Sequence, residues 1–199
     1  MKNLYSRTSV ALACALILVA CGGKDGNLVL GGSITGVTKS GLTLSNNGGP
    51  ALPIPPGTSQ FQFPELIGSD EKYNVQVKDL PEGMKCNALY NTGTSGAYNV
   101  TSVQFGCFNL PRNLTGKVTG LNVNGLILNN GKDQVIVPAG ATSFTFTKTE
   151  GTTTTGTVGD GEPFGVTVLQ QPKPQNCTVS NGAGFMGHVD YTAVVVTCN

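Results

Sequence analysis

The sequence LGGSITG at residues 30–36 returns as LTGKVTG at residues 114–120, and this recurrence decides how the chain folds. Further along, GLTL at 41–44 returns as GLIL at 125–128, and each is followed shortly by Asn-Asn-Gly. The matches continue in the same order toward the end of the chain. So many ordered matches predict that one domain is present in two copies.

The cysteines follow the same repeat. Cys86 and Cys107 lie 21 positions apart, and so do Cys177 and Cys198. The four cysteines of the repeats are an even number, which favours disulfides if the chain is exported, as the amino terminus discussed below indicates. Pairing between the copies would deprive each of the internal bond that its twin could form, so we predict Cys86–Cys107 and Cys177–Cys198. A closed loop of this length stabilises a small domain by about 3 kcal/mol.

Each copy has the sequence pattern of β-strands. Apolar and polar residues alternate in FQF at 61–63 and in YNVQV at 73–77, which is the pattern of strands with one buried face. Asn-Asn-Gly suits hairpin turns, because these residues accept positive φ. The chain is therefore predicted to be all-β, with about seven strands per copy. Two tandem immunoglobulin-like or transthyretin-like β-sandwiches are expected, and a small barrel is the competing architecture.

The repeat sets the domain boundaries. Repeat 1 is predicted at 30–109 and repeat 2 at 114–199, joined by a short linker at 110–113 that proline stiffens. The offset between matching residues grows within 148–163, so repeat 2 carries an insertion there. Its threonines and glycines predict an exposed loop or an extended hairpin.

The amino terminus precedes both repeats. Residues 1–20 combine basic residues with a short apolar run, which indicates a signal peptide rather than a membrane-spanning helix. The sequence LVAC at 18–21 resembles the lipobox of bacterial lipoproteins. The resemblance implies that Cys21 is the lipidated first residue of the mature chain, followed through residue 29 by a flexible tether. Gly22, in place of Asp, favours an outer-membrane location by analogy.

The tandem unit itself resembles a repeat of Gram-negative surface and cell-envelope proteins. The shared pattern includes G-L-x-L with N-N-G, F-x-F, Y-x-V-x-V and a final V-x-C. Repeat 2 follows it closely, whereas repeat 1 departs at Cys86-Asn87-Ala88 and elsewhere. The resemblance implies an envelope role and supplies no catalytic residues.

The composition argues against some classes of function. Twelve basic and eleven acidic residues leave the full chain nearly neutral, so the charge gives no footprint for nucleic acid. No cofactor motif is found. The four downstream cysteines lack the close Cys-x₂-Cys pairs of zinc sites, so no metal site is predicted.

Three groups of polar residues are candidate sites. His188, the only histidine, precedes Asp190 by two positions near the last strand, so contact between them is conceivable, but no nucleophile motif accompanies them. Asp160-Gly161-Glu162 lacks the acid spacing of a calcium loop and is interpreted as a turn. A small acidic patch near the first repeat's YNVQV strand is interpreted as a solvated turn: Glu65, Asp70 and Glu71.

The sequence therefore predicts a non-enzymatic, lipid-anchored envelope protein with a structural, adhesive or scaffolding role. The alternative is a glycan- or protein-binding surface module that uses the loop 148–163. A hydrolase is the remote alternative.

Overall fold

The computed structural model describes residues 26–146 and 156–199. The predicted signal peptide, Cys21, the start of the predicted tether and residues 147–155 lie outside this part of the chain. Within the described residues all regular structure is β, in seventeen strands, which confirms the all-β prediction. The same residues include no helix that could cross a membrane.

The first half of the chain forms two four-stranded sheets. Their orders are β4-β1-β8-β6 and β3-β2-β5-β7. The first and last strands of this half, β1 and β8, lie side by side and run parallel. The strands are β1 (Leu30–Thr35), β2 (Leu42–Asn46), β3 (Leu52–Ile54), β4 (Gln60–Gln62), β5 (Lys72–Asp79), β6 (Met84–Leu89), β7 (Thr92–Thr94) and β8 (Val100–Asn109).

The second half repeats this arrangement. Its sheets have the orders β12-β9-β17-β15 and β11-β10-β14-β16, and β9 runs parallel to β17. One further strand, β13, pairs with the start of β9, and a single bridge between Leu28 and Ile67 stands at the equivalent place in the first half. The strands are β9 (Pro111–Thr119), β10 (Leu126–Asn130), β11 (Asp133–Val137), β12 (Ser143–Phe146), β13 (Thr157–Gly159), β14 (Pro163–Gln170), β15 (Cys177–Ser180), β16 (Ala183–Phe185) and β17 (Tyr191–Cys198).

Each half buries one hydrophobic core between its two sheets. In the first half, Ile34 and Val103 from one sheet meet Leu44 and Val75 from the other, and all four are fully buried. A separate cluster fills the second half. Alternate residues of each strand supply these cores, as the period of the sequence pattern requires. The β-sandwich prediction is confirmed.

Both predicted disulfides are present. Cys86 and Cys107 are register partners on the neighbouring strands β6 and β8, and Cys177 and Cys198 are partners on β15 and β17. In immunoglobulin domains the conserved disulfide joins the two sheets. Here each bridge joins two strands of one sheet, and in each half one of those strands is the last.

The predicted linker is not a separate segment. β8 ends at Asn109 and β9 begins at Pro111, so only Leu110 lies between the strands. The Leu110 N–H donates to the carbonyl of Gly83 at 2.7 Å, and its carbonyl accepts the N–H of Asp160 at 2.9 Å. Residues 111–113, which the sequence analysis placed in the linker, instead belong to β9, where β13 pairs with them.

The contacts of the first half also begin earlier than predicted. Leu28, which we placed in the tether, is buried and pairs with Ile67 through two backbone hydrogen bonds of 2.9 and 3.0 Å. The Val29 N–H donates to the side-chain oxygen of Asn99 at 2.8 Å. Residues 28 and 29 therefore belong to the first sandwich.

Candidate functional site

The most unusual polar group of the described chain is Asp160. Its side chain is 1% exposed, although nothing in the sequence pattern marks it as a core position. It follows β13 directly, in a tight turn closed by a 2.8 Å hydrogen bond from the Glu162 N–H to the Gly159 carbonyl. The turn predicted at 160–162 agrees with this geometry. The segment was also expected to be exposed, and the buried side chain of Asp160 differs from that expectation.

Three basic side chains meet at this carboxylate. Lys39, from the loop between β1 and β2 of the first half, forms an ion pair with Oδ1. From the second half, Arg112 on β9 places Nη2 3.3 Å from Oδ2, and His188 places Nδ1 2.9 Å from the same oxygen. The buried charge is therefore paired from both sides of the junction, as a buried carboxylate must be.

These contacts control the protonation of the carboxyl group. Burial alone would raise the pKa of Asp160, because it disfavours the charged form. Hydrogen bonds from Lys39 and His188, the charge of Lys39 and a hydrogen bond from Arg112 outweigh burial and lower the pKa from 3.8 to about 2. Asp160 is thus an anion throughout the range in which proteins usually work.

A second set of polar contacts surrounds this centre. The Nζ of Lys39 also donates to the Glu82 carbonyl at 2.9 Å. The amide of Asn109 donates to the Glu162 carboxylate at 3.2 Å and accepts the Thr38 hydroxyl at 2.8 Å. The two halves therefore share a hydrogen-bonded, charged junction rather than a loose connection.

A cleft opens beside the junction. Its volume is about 440 Å³, and residues of both halves line it. Asn109 and Glu162 supply polar groups there, and Phe108, which is 42% exposed, supplies an aromatic ring. Both halves can therefore contact one small molecule in this cleft.

His188 and Asp190 do not form the pair that their spacing suggested. Both lie in the loop between β16 and β17 rather than on a strand, and they serve different partners. The carboxylate of Asp190 accepts the backbone N–H of Asn113 at 2.8 Å and its side-chain amide at 2.9 Å. These bonds lower the pKa of Asp190. His188 turns instead to Asp160.

The residues considered as metal ligands have other roles. The four cysteines of the repeats are joined in disulfides, and the carboxylate of Asp160 is paired with basic side chains. Across 26–146 and 156–199, no group of three or more His, Cys, Asp or Glu side chains is arranged to hold a metal ion.

The sequence analysis missed Asp160 as the centre of the junction. The sequence does distinguish this residue. When the matching segments that begin at Tyr73 and Phe164 are aligned, the residue of repeat 1 that corresponds to Asp160 is Ser69. An acid that replaces an uncharged residue of the other repeat is a candidate for a contact that the other repeat does not make.

Gly83 offers a test of how tightly the junction is packed. It has φ +73° and is buried, and a Cβ placed there would overlap the Asp160 carboxylate. We expect Gly83→Ala to displace that carboxylate and to lower the free energy of unfolding by about 2 kcal/mol, of which about 1 comes from the positive φ. Urea unfolding measures the loss.

Gly57→Ala is the matched control, because Gly57 has φ +79° with open space around its Cβ position. It carries the same backbone penalty without the clash. Equal losses for the two variants would show that the junction tolerates the extra carbon.

Comparison with known proteins does not identify a function for the junction. No protein-family model and no curated protein matches the chain. Among solved structures, a mutant of the shaft pilin SpaA from Lactobacillus rhamnosus GG is similar over 86% of this chain and 98% of its own. The sequence identity is 11% and the TM-score is 0.28, so no property of the pilin is transferred to this chain.

Proposed function

We propose that this protein is a non-enzymatic cell-envelope lipoprotein that holds two β-sandwich modules away from the outer membrane as a structural, adhesive or scaffolding element. Lipid on Cys21 would attach it, and the modules would form the exposed part. The proposal assigns no cofactor, metal or nucleic acid to the chain.

The junction at Asp160 is the observation that carries this proposal. A flexible carrier needs no contact between its modules, whereas here a buried carboxylate is paired with Lys39 of one half and with Arg112 and His188 of the other. The strand β13 adds hydrogen bonds along the connection. Such a junction suits a protein whose function depends on a fixed relation between its two modules.

The same contacts favour a structural role for the only histidine. A general base needs a free nitrogen near a nucleophile. The Nδ1 of His188 is held by Asp160, as it would be in a catalytic triad, so Nε2 is the nitrogen that would act as the base. In the described part of the chain Nε2 faces the Glu82 carboxylate at 3.7 Å, and no hydrogen bond joins it to a Ser, Thr or Cys side chain. We assign His188 to the junction rather than to catalysis.

Replacement of the lipid-bearing residue tests the anchor. We expect Cys21→Ser to move the protein from the membrane fraction to the soluble fraction, because the acyl chains on Cys21 supply most of the attachment free energy in our proposal. Membrane fractionation and mass spectrometry of the mature amino terminus measure this. A variant that remains in the membrane fraction, or an unmodified amino terminus in the parent protein, would refute lipid anchoring.

A binding function is the second candidate, and the junction cleft favours it. The alternative from the sequence placed binding on the loop 148–163, yet the described part of that loop is used by β13 and Asp160. The cleft beside it presents an amide, a carboxylate and the Phe108 ring, which are groups that bind sugars through hydrogen bonds and stacking.

A glycan array probed with the purified protein tests this candidate. We expect Phe108→Ala to weaken any bound signal by about tenfold. Phe185→Ala is the control, since Phe185 is 75% exposed on β16 of the second half and does not line the cleft. Binding that is equally sensitive to both changes, or absent in the parent protein, would argue against a sugar site in the cleft.

A further inference from the structure

The two halves have equivalent leading ends, by which we mean the end at which the chain enters each sandwich. In the first half the Val29 N–H donates to the Asn99 side chain at 2.8 Å. In the second, the Asn113 N–H donates to the Asp190 side chain at the same distance. The same bond therefore fixes the incoming strand to the same loop in both copies.

The loops of the leading ends also match. The backbone N–H of Ser95 donates to the Glu71 carbonyl at 3.0 Å, and that of Met186 donates to the Glu162 carbonyl at 2.8 Å. In the first half a further bond, from the Ser95 hydroxyl to the Gly68 carbonyl, holds the loops 64–71 and 95–99 together. We define these two loops as the leading end of the first half.

In the second half this end is the one that contacts the preceding sandwich. Asp160 and His188 provide its charged contacts: across the junction Lys39 is the partner of Asp160, and the Glu82 carboxylate lies 3.7 Å from the Nε2 of His188. The equivalents of Asp160 and His188 in the first half are Ser69 and Ala97, which carry no charge. The leading end of the first half therefore lacks the groups by which a preceding sandwich docks.

A second copy of this chain would also lack the matching partner. The residue of repeat 2 that corresponds to Lys39 is Val123, and the one that corresponds to Glu82 is Lys173, so the trailing end of the second half carries a different arrangement of charges. The junction chemistry cannot be repeated from one molecule to the next. Whatever faces the first leading end must be recognised by other means.

This end presents apolar side chains instead. Tyr98 is 81% exposed and Leu66 is 47% exposed, on the two loops that are bonded to each other. Gly26, the first described residue, packs directly against the Leu66 backbone. Cys21 lies five residues earlier, and a chain of that length spans no more than about 18 Å in any conformation.

We propose that the leading end of the first half rests on a lipid surface, with Tyr98 and Leu66 in the headgroup region. This inference rests on the proposed lipid anchor at Cys21. Tyrosine is favoured at membrane interfaces, because its ring is apolar and its hydroxyl is polar. The acids Glu65, Asp70 and Glu71 on this end outnumber the neighbouring exposed Lys72, so the surface it fits is zwitterionic rather than anionic.

A single-tryptophan experiment tests the contact. The chain contains no tryptophan, so Tyr98→Trp introduces a unique reporter. Val189→Trp is the matched control, because Val189 is the equivalent residue of the second half and is 74% exposed. The chain from Cys21 onward is joined through the Cys21 thiol to a maleimide lipid in phosphatidylcholine vesicles with brominated acyl chains. The anchor is thus supplied whether or not it is natural.

We expect bromine to quench the Tyr98→Trp fluorescence about twofold more than that of Val189→Trp, with a blue-shifted emission. Replacing part of the phosphatidylcholine with phosphatidylglycerol should reduce the difference. Equal quenching of the two variants, or stronger quenching with the anionic lipid, would overturn the proposal. Failure of natural lipidation would appear separately, in the mass spectrum of the native amino terminus.

Discussion

Replacing Cys177 and Cys198 together with alanine should lower the free energy of unfolding of the second half by about 3 kcal/mol. The bond closes a loop of 21 residues, and its loss returns conformational freedom to the unfolded chain. Both cysteines are 3% exposed, so the substitution also removes packed atoms from the core. Urea unfolding followed by circular dichroism, with and without the bridge, measures the change.

The equivalent change at Cys86 and Cys107 is the internal comparison, because the loop has the same length. Cys86 is only partly buried, so reductant should open this bridge before the other one. Losses below about 1 kcal/mol in both halves would show that the unfolded chain is little restricted by these bonds.

Asp160→Asn should lower the free energy of unfolding by about 1–2 kcal/mol near neutral pH. The change preserves the shape of the side chain but leaves Lys39, Arg112 and His188 without the anion that they share. A fully buried pair would cost more, but the basic side chains are between 22% and 54% exposed, and water compensates part of the loss.

The effect should depend on pH in one direction. The pKa of Asp160 is about 2 in the folded protein against an ordinary 3.8, so folding favours the charged form. Its contribution is complete above pH 3.8 and is lost as the pH falls through the folded value. The difference between the parent protein and Asp160→Asn should therefore shrink between pH 4 and pH 2.

Glu65→Gln is the control for this series, since Glu65 is an exposed acid of the first half, away from the junction. It removes one negative charge without touching the cluster. If it destabilises the protein as much as Asp160→Asn does, or if the Asp160→Asn effect persists at pH 2, net charge rather than the junction controls the response.

Much of the fold was predictable because its causes are local and repeated. The alternation in YNVQV at 73–77 fixes which side chains of β5 face the core, and Val75 is indeed fully buried. The disulfides followed from equal spacing in two copies. The strand order could not be predicted, because β1 pairs with β8 across a long stretch of sequence that no local pattern records.

The junction was harder to predict for a physical reason. In the sequence Asp160 resembles any residue of a polar turn. Its burial is possible because Lys39, Arg112 and His188 contact the carboxylate in the folded chain and offset the free-energy cost of removing it from water. These four residues are far apart in the sequence, and none belongs to a motif. The spacing of His188 and Asp190 pointed to a local pair, but each is better satisfied by a more distant partner.

The parallel neighbours β1 with β8 and β9 with β17 have a mechanical consequence. In each half the incoming strand and the outgoing strand leave at opposite ends of the same ladder. Tension applied between the two ends of the chain would shear these ladders, so that their hydrogen bonds carry load together instead of unzipping singly. A protein held at one end and pulled at the other would resist extension in both sandwiches.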